Sequence, residues 1–186
     1  MEKTALVALG ANLPHNDQLP VETLAAAIRA MTDEGFDAVV QSRFYRTPCF
    51  PAGAGPDYVN AALRATWAGD AAAALAALHR IEARFGRSRE SRWGARTLDL
   101  DLIALGDSVL PDAPTQAAWV ALPAARQAQE TPDRLILPHP RLQDRAFVLV
   151  PLADVAPHWR HPVTRRSTLQ MLAALPEALR AEVTPI

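Results

Sequence analysis

The order in which two hydrophobic periodicities alternate is what most constrains the fold of this chain. Residues 4–12, TALVALGAN, read as a strand that ends in a Gly-Ala-Asn turn. PVETLAAAIRAM (20–31) has apolar residues at helical spacing, with Pro20 in the first turn. FDAVVQSRFYRT (36–47) and DYVNAALRATW (57–67) are strand-like, rich in β-branched and aromatic residues, and a Pro/Gly loop joins them. DAAAALAALHRIEARFG (70–86) predicts a helix with Asp70 as N-cap and Gly86 as the stop. A further strand follows, with Leu98, Leu100 and Leu102 alternating with Asp99 and Asp101. The order is β-α-β-β-α-β, which predicts an α+β, ferredoxin-like core with an antiparallel sheet.

A length of 186 residues suits one domain spanning 1–186. Segment 106–137 is rich in Ala, Pro, Gln and Asp without a sustained period, and reads as a long loop or a poorly packed insertion. Order resumes over 137–157, and RRSTLQMLAAL (165–175) predicts a C-terminal helix capped near Ser167. A net charge of -1 gives no reason to expect a nucleic-acid or acidic-membrane partner. Cys49 is the only cysteine, so no intrachain disulfide can form. With no signal peptide or membrane span in view, the expectation is a cytoplasmic monomer. Lys3 is the only lysine, so any phosphate clamp must use guanidinium groups, and no P-loop is present.

The strand at 98–103 carries the sharpest chemical signal. Carboxylates two residues apart on a strand lie about 6.5–7 Å apart on one face. That spacing suits a shared divalent cation or a pair of cations, and hard oxygen donors favour Mg²⁺. The same pattern also fits a plain solvated strand face. Arg87, Arg89, Arg92 and Arg96 precede the aspartates, either as a polyphosphate clamp or as a surface arginine run. Glu82 and His79 lie on the helix just upstream, on its polar side. Trp93 beside Gly94-Ala95 makes either a flap or a simple turn. PHPRLQDRAF adds His139, held between two prolines, with Arg141, Arg145 and Phe147. His15, His158 and His161 read as surface residues.

RWGARTLDLDLI (92–103) resembles the signature of the 6-hydroxymethyl-7,8-dihydropterin pyrophosphokinase family of folate biosynthesis. ALGANL (8–13), SRFYRTPCF (42–50), PDYVNAAL (56–63), RIEARFGRSR (80–89) and LPHPRLQDRAFVLVPLADVAP (137–157) are similar to further blocks of that family, in order and spacing. The resemblance implies a ferredoxin-like core, two Mg²⁺ ions, ATP as donor and a reduced pterin as acceptor. It implies Asp99 and Asp101 as metal ligands, one also orienting the acceptor hydroxyl, with Arg87 and Arg96 as clamps that enter on closure. His79, Glu82, Arg89, Trp93, Arg134, His139 and Arg145 would contact ATP. Thr47, Pro48, Phe50, Tyr58, Asn60, Trp93, Asp99 and Phe147 would hold the pterin, Tyr58 and Phe147 by stacking and Asn60 at the ring edge.

This chain departs from the family pattern at several points. Ala11 stands where serine is usual, His79 where glutamine is common, and Ile136 where a small polar residue is common. Segment 106–137 is longer than usual and has no counterpart that assigns it a role. Two other classes compete for the D-x-D strand: another two-metal transferase on a palm-like fold, and a non-catalytic small-molecule binding module.

Overall fold

The computed structural model describes residues 1–49, 53, 55–86, 97–123, 126 and 129–186. Its core follows the expected order: β1 (Lys3–Ala11), α1 (Pro20–Asp33), β2 (Asp37–Gln41), β3 (Tyr45–Thr47), β4 (Tyr58–Trp67), α2 (Ala71–Arg84) and β5 (Asp99–Leu105). The sheet runs β5-β1-β4-β3-β6, with every recorded pairing antiparallel; β2 also pairs with β4, and β6 is Thr184–Pro185. This is the ferredoxin-like arrangement, with the D-x-D strand on one edge. Among the described residues no helix is long and apolar enough to cross a membrane.

Three local features differ from the sequence reading. β1 runs through Gly10 and Ala11 rather than turning there. The segment 36–47 is two strands: Gln41 opposes Leu63 while Tyr45 opposes Asn60, so one strand carries an extra residue. Ser42 occupies this bulge, its backbone N–H donating to the Ala62 carbonyl and its hydroxyl accepting from the Ala62 N–H, both at 2.9 Å. The insertion contains a helix, α3 (Ala113–Ala121), capped by Asp112, whose Oδ1 accepts from the Thr115 N–H at 2.8 Å.

The alternation in β5 is what sorts the chain into two cores. Leu98, Leu100 and Leu102 face α1 and α2, packing with Leu24, Ile28, Met31, Leu78 and Ile81. A bulge follows, since Val7 opposes Leu102 but Leu6 opposes Ala104. Ile103 and Ala104 therefore reach the other face, while Leu105 returns to the first. That second face is covered by α4 (Ala146–Val155) and α5 (Thr168–Ala174), through Val148, Leu149, Leu152 and Met171. α5 begins at the expected cap, with Ser167 Oγ accepting from the Gln170 N–H. Helix α6 (Glu177–Ala181) then leads into β6.

A polar tie fixes α4 on the sheet. The Tyr45 hydroxyl, in a residue only 2% exposed, donates to Asp154 Oδ2 at 2.7 Å, and Arg43 donates to both oxygens of that carboxylate. Burial first, then the bond to Asp154, pushes the Tyr45 phenol up to about 12. His161, expected at the surface, is buried; its Nδ1 accepts from the Val163 and Thr164 N–H groups, and burial lowers its pKa. Its role is to close the turn before α5.

Candidate active site

Strand register assembles the site. Gly10 on β1 lies opposite both Asp99 on β5 and Asn60 on β4, and Asn60 lies opposite Tyr45 on β3. Directly opposed residues of antiparallel strands point to the same face. Asp99, Asn60 and Tyr45 therefore form one row, interrupted by a position with no side chain. A Cβ at Gly10 would stand 3.2 Å from Asn60 Oδ1 and 3.9 Å from Tyr58 Cδ1. The glycine thus keeps open a trough between Asn60 and Asp99, on the face that α4 covers further along.

Asn60 is a fixed wall of this trough. It is 5% exposed, and its Nδ2 donates to Thr47 Oγ1 at 2.7 Å. Thr47 opposes Tyr58, two residues before Asn60 on the same face, and Tyr58 is half-buried. Phe147, in the first turn of α4, is 40% exposed although large and apolar, and the Arg145 guanidinium lies 5.6 Å from its ring centroid. A half-buried aromatic, Tyr58, beside the Asn60 amide edge suits a flat, polar heterocycle. Pro48 is exposed at the end of β3. Sequence reading placed Asn60, Thr47 and Tyr58 together but missed Gly10; the signal was a glycine inside an otherwise unbroken strand pattern. It also missed Asn12, which is buried and donates from Nδ2 to the Pro56 carbonyl at 3.2 Å, tying the approach to β4 to the sheet end.

Asp101 lies two residues on from Asp99, opposite Ala8, and Arg145 Nη1 approaches its Oδ2 to 3.9 Å, beyond a direct hydrogen bond. Among the described residues no third His, Cys, Asp or Glu joins the pair as a metal cluster. The donor set is hard, anionic and incomplete. It fits Mg²⁺, which binds proteins through one or two carboxylates and completes its shell with water and phosphate oxygens.

His139 lies at the inner end of β5, its N–H donating to the Ile103 carbonyl at 2.8 Å. Its Nδ1 accepts from the Arg141 N–H at 3.1 Å, so the neutral ring carries its proton on Nε2 and presents a donor. Burial, then the Arg145 and Arg141 guanidinium charges, pushes the His139 pKa down to about 3. A neutral donor between two cations is a setting for a phosphate oxygen. Arg141 has two buried guanidinium nitrogens, Nε and Nη1, without a hydrogen-bond partner among the described residues, and Nη2 pairs with Asp144 at 3.3 Å.

One expected nucleotide contact is placed differently. Glu82 is 1% exposed and faces the helix-side core rather than solvent; its Oε1 accepts from the Leu100 N–H at 2.8 Å. β5 is an edge strand, and this carboxylate satisfies an amide that no neighbouring strand can reach. Arg134 is exposed and paired with Asp133 at 3.2 Å. His79 is half-buried on α2, one turn before Glu82. Phe50, Arg87, Arg89, Trp93 and Arg96 lie outside the described residues.

Fold and site together define a ferredoxin-like α+β protein whose paired-carboxylate edge strand has an arginine and a buried histidine beside it. Residues 6–157 match the sequence model of the 7,8-dihydro-6-hydroxymethylpterin-pyrophosphokinase (HPPK) family, and the chain belongs to that family. It is 38% identical over 180 residues to the 2-amino-4-hydroxy-6-hydroxymethyldihydropteridine pyrophosphokinase of Pseudomonas aeruginosa, covering 95% of this chain and 94% of the relative. The enzyme of the same name from Synechocystis is 36% identical over 169 residues, covering 90% and 74%. Among solved structures, wild-type Plasmodium falciparum HPPK-DHPS with pteroate matches 93% of this chain with a TM-score of 0.63. Sequence identity there is 12%, and this chain spans 44% of that protein, so the likeness concerns the fold.

Proposed function

We propose that this chain, as a single domain, transfers pyrophosphate from ATP to the hydroxymethyl group of 6-hydroxymethyl-7,8-dihydropterin, a step of folate biosynthesis. The observation that carries the reading is the cross-strand row Asp99–Gly10–Asn60: a trough kept open by a glycine ends at one of two paired carboxylates. Asn60 reads the heterocycle edge, Tyr58 and Phe147 stack on it, and Thr47 holds the amide in orientation. The ring then points its hydroxymethyl arm toward Asp99, which orients the hydroxyl. The oxygen bonds to the β-phosphorus while the bond from that phosphorus to the oxygen bridging the α-phosphorus breaks. AMP leaves, and the hydroxyl proton is lost to its phosphate or to water.

Asp99 and Asp101 would hold Mg²⁺, which supplies charge neutralisation on the phosphates. Arg145 and the Nε2–H of His139 face the same phosphates, and such transfer depends on positioning and charge rather than covalent help. Arg87, Arg89, Trp93 and Arg96 belong to the stretch that matches the family, and Arg87 and Arg96 would clamp the triphosphate. Arg134 and His79 remain candidates for the nucleotide edge. Glu82 supports the carboxylate strand from beneath.

The test follows nucleotide products from Mg-ATP with and without the pterin. AMP formed only with the pterin supports the proposal; ADP, or no turnover, overturns it. Asp99→Asn and Asp101→Asn should each lower kcat by about 10³-fold, several kcal/mol of transition-state stabilisation. Both should keep a cooperative melt, since removing one of two facing like charges relieves repulsion. A binding module would tolerate both changes without loss.

A further inference from the structure

We propose that Gln116, in the inserted helix α3, is a positioning residue for nucleotide binding that sets the His139 loop by holding the Pro138 carbonyl. The inference rests on the nucleotide role given to His139 above. α3 is turned the wrong way round for an amphipathic helix: Ala117 and Ala118 are exposed while Gln116 is 1% exposed and the only buried residue of the helix. Burying an amide is unfavourable unless it is hydrogen-bonded. The bond that explains this burial runs from Gln116 Nε2 to the Pro138 carbonyl at 3.2 Å.

The target of that bond gives it its consequence. Proline has no N–H, so the carbonyl is the only backbone group by which Pro138 can be held. Either side of it the chain is pinned elsewhere. Leu137 exchanges hydrogen bonds with Leu110 at 2.9 and 3.2 Å, closing the base of the inserted segment, and the His139 N–H is tied to β5. Gln116 thus closes the gap between these two anchors, one residue before the histidine ring. Asp112, the cap of the same helix, adds a negative charge acting on Arg134, another candidate nucleotide contact near the end of the insertion. The inserted helix is in this way built into the support of the nucleotide side.

The experiment compares the unaltered protein with Gln116→Met, which keeps volume and loses the donor, and with the exposed control Ala118→Ser. Calorimetry gives the MgATP Kd for each, and the pterin Kd at saturating α,β-methylene-ATP; AMP formation is recorded alongside. Gln116→Met should weaken MgATP binding about fivefold or more, the factor expected from one lost hydrogen bond. Its pterin Kd should stay within twofold, and Ala118→Ser should match the unaltered protein. An unchanged MgATP Kd, or equal weakening of both ligands, overturns the inference. If Gln116→Met does not fold, Gln116→Asn carries the same test, shortening the reach while keeping the amide. MgATP binding by unaltered protein without pterin-dependent AMP would refute the proposed reaction yet leave the Kd comparison decisive. No MgATP binding at all would refute both.

Discussion

Gly10→Ala separates folding from pterin recognition more sharply than any other single change. The backbone at Gly10 does not lie in the left-handed region, so alanine is conformationally admissible there. Reducing the freedom of the unfolded chain favours folding by about 0.4–1 kcal/mol. Against this, the new Cβ meets Asn60 Oδ1 at 3.2 Å, a few tenths of an ångström too close. Asn60 cannot simply retreat, because its Nδ2 already bonds Thr47 on the β3 side at 2.7 Å. The two effects are of similar size, so the net stability change should lie within about 1 kcal/mol of zero.

Recognition fares differently. A ring resting over Gly10 is lifted by up to about 1.5 Å, the length of the added carbon–carbon bond. Hydrogen bonds to Asn60 stretched by that amount fall outside bonding range. Losing one or two of them costs about 1–3 kcal/mol, or roughly a 5- to 150-fold rise in pterin KM. Steady-state AMP formation with each substrate varied in turn, alongside a thermal melt, gives all three quantities. A pterin KM within threefold of the unaltered protein would refute the trough. So would an ATP KM rising in parallel.

Three further outcomes follow from the same contacts. Asp154→Ala leaves the buried Tyr45 hydroxyl without its acceptor and should cost about 1–3 kcal/mol in a urea titration, with the ratio of the two KM values unchanged. Glu82→Ala strands the Leu100 N–H of the carboxylate strand, and for a chain of this size a loss of about 2 kcal/mol lowers Tm by about 4–8 °C; Glu82→Gln keeps an acceptor and should recover most of it. Folded His139 stays neutral down to about pH 3, whereas in the unfolded chain it protonates near 6.5. The unfolded state therefore binds more protons between these values, and stability falls as pH drops below 6.5, by about 2 kcal/mol at pH 5 from this residue. His139→Gln should shrink the gap in urea midpoint between pH 7.5 and pH 5 by a matching amount; an undiminished gap would contradict the assignment.

Much of this was written locally in the chain. The strand and helix order was legible because strand and helix periods differ and because Asp70, Ser167, Pro20 and Gly86 mark element ends by their own backbone chemistry. Asp99 and Asp101 had to share a face wherever they lay in a strand, since side chains alternate with period two. Resemblance of short motifs added which residues act together. Glu82 escaped local reading because one carboxylate on a helix looks the same whether it meets water or an edge-strand amide. His161 escaped for the same reason, as burial of a histidine depends on what folds over it. α3 lacks an apolar stripe because its buried residue is a glutamine, so no periodicity announced it.

Local chemistry thus specified the elements and what each could carry. Register came only with the assembled sheet: which residue of β1 stands between Asn60 and Asp99, and which carbonyl Gln116 meets. Register arises from pairing and packing between segments far apart in sequence, where a shift of one residue turns every side chain to the opposite face. Gly10 is a permissive residue in the chain and an open trough in the sheet, and the difference lies in its two neighbours across the strands.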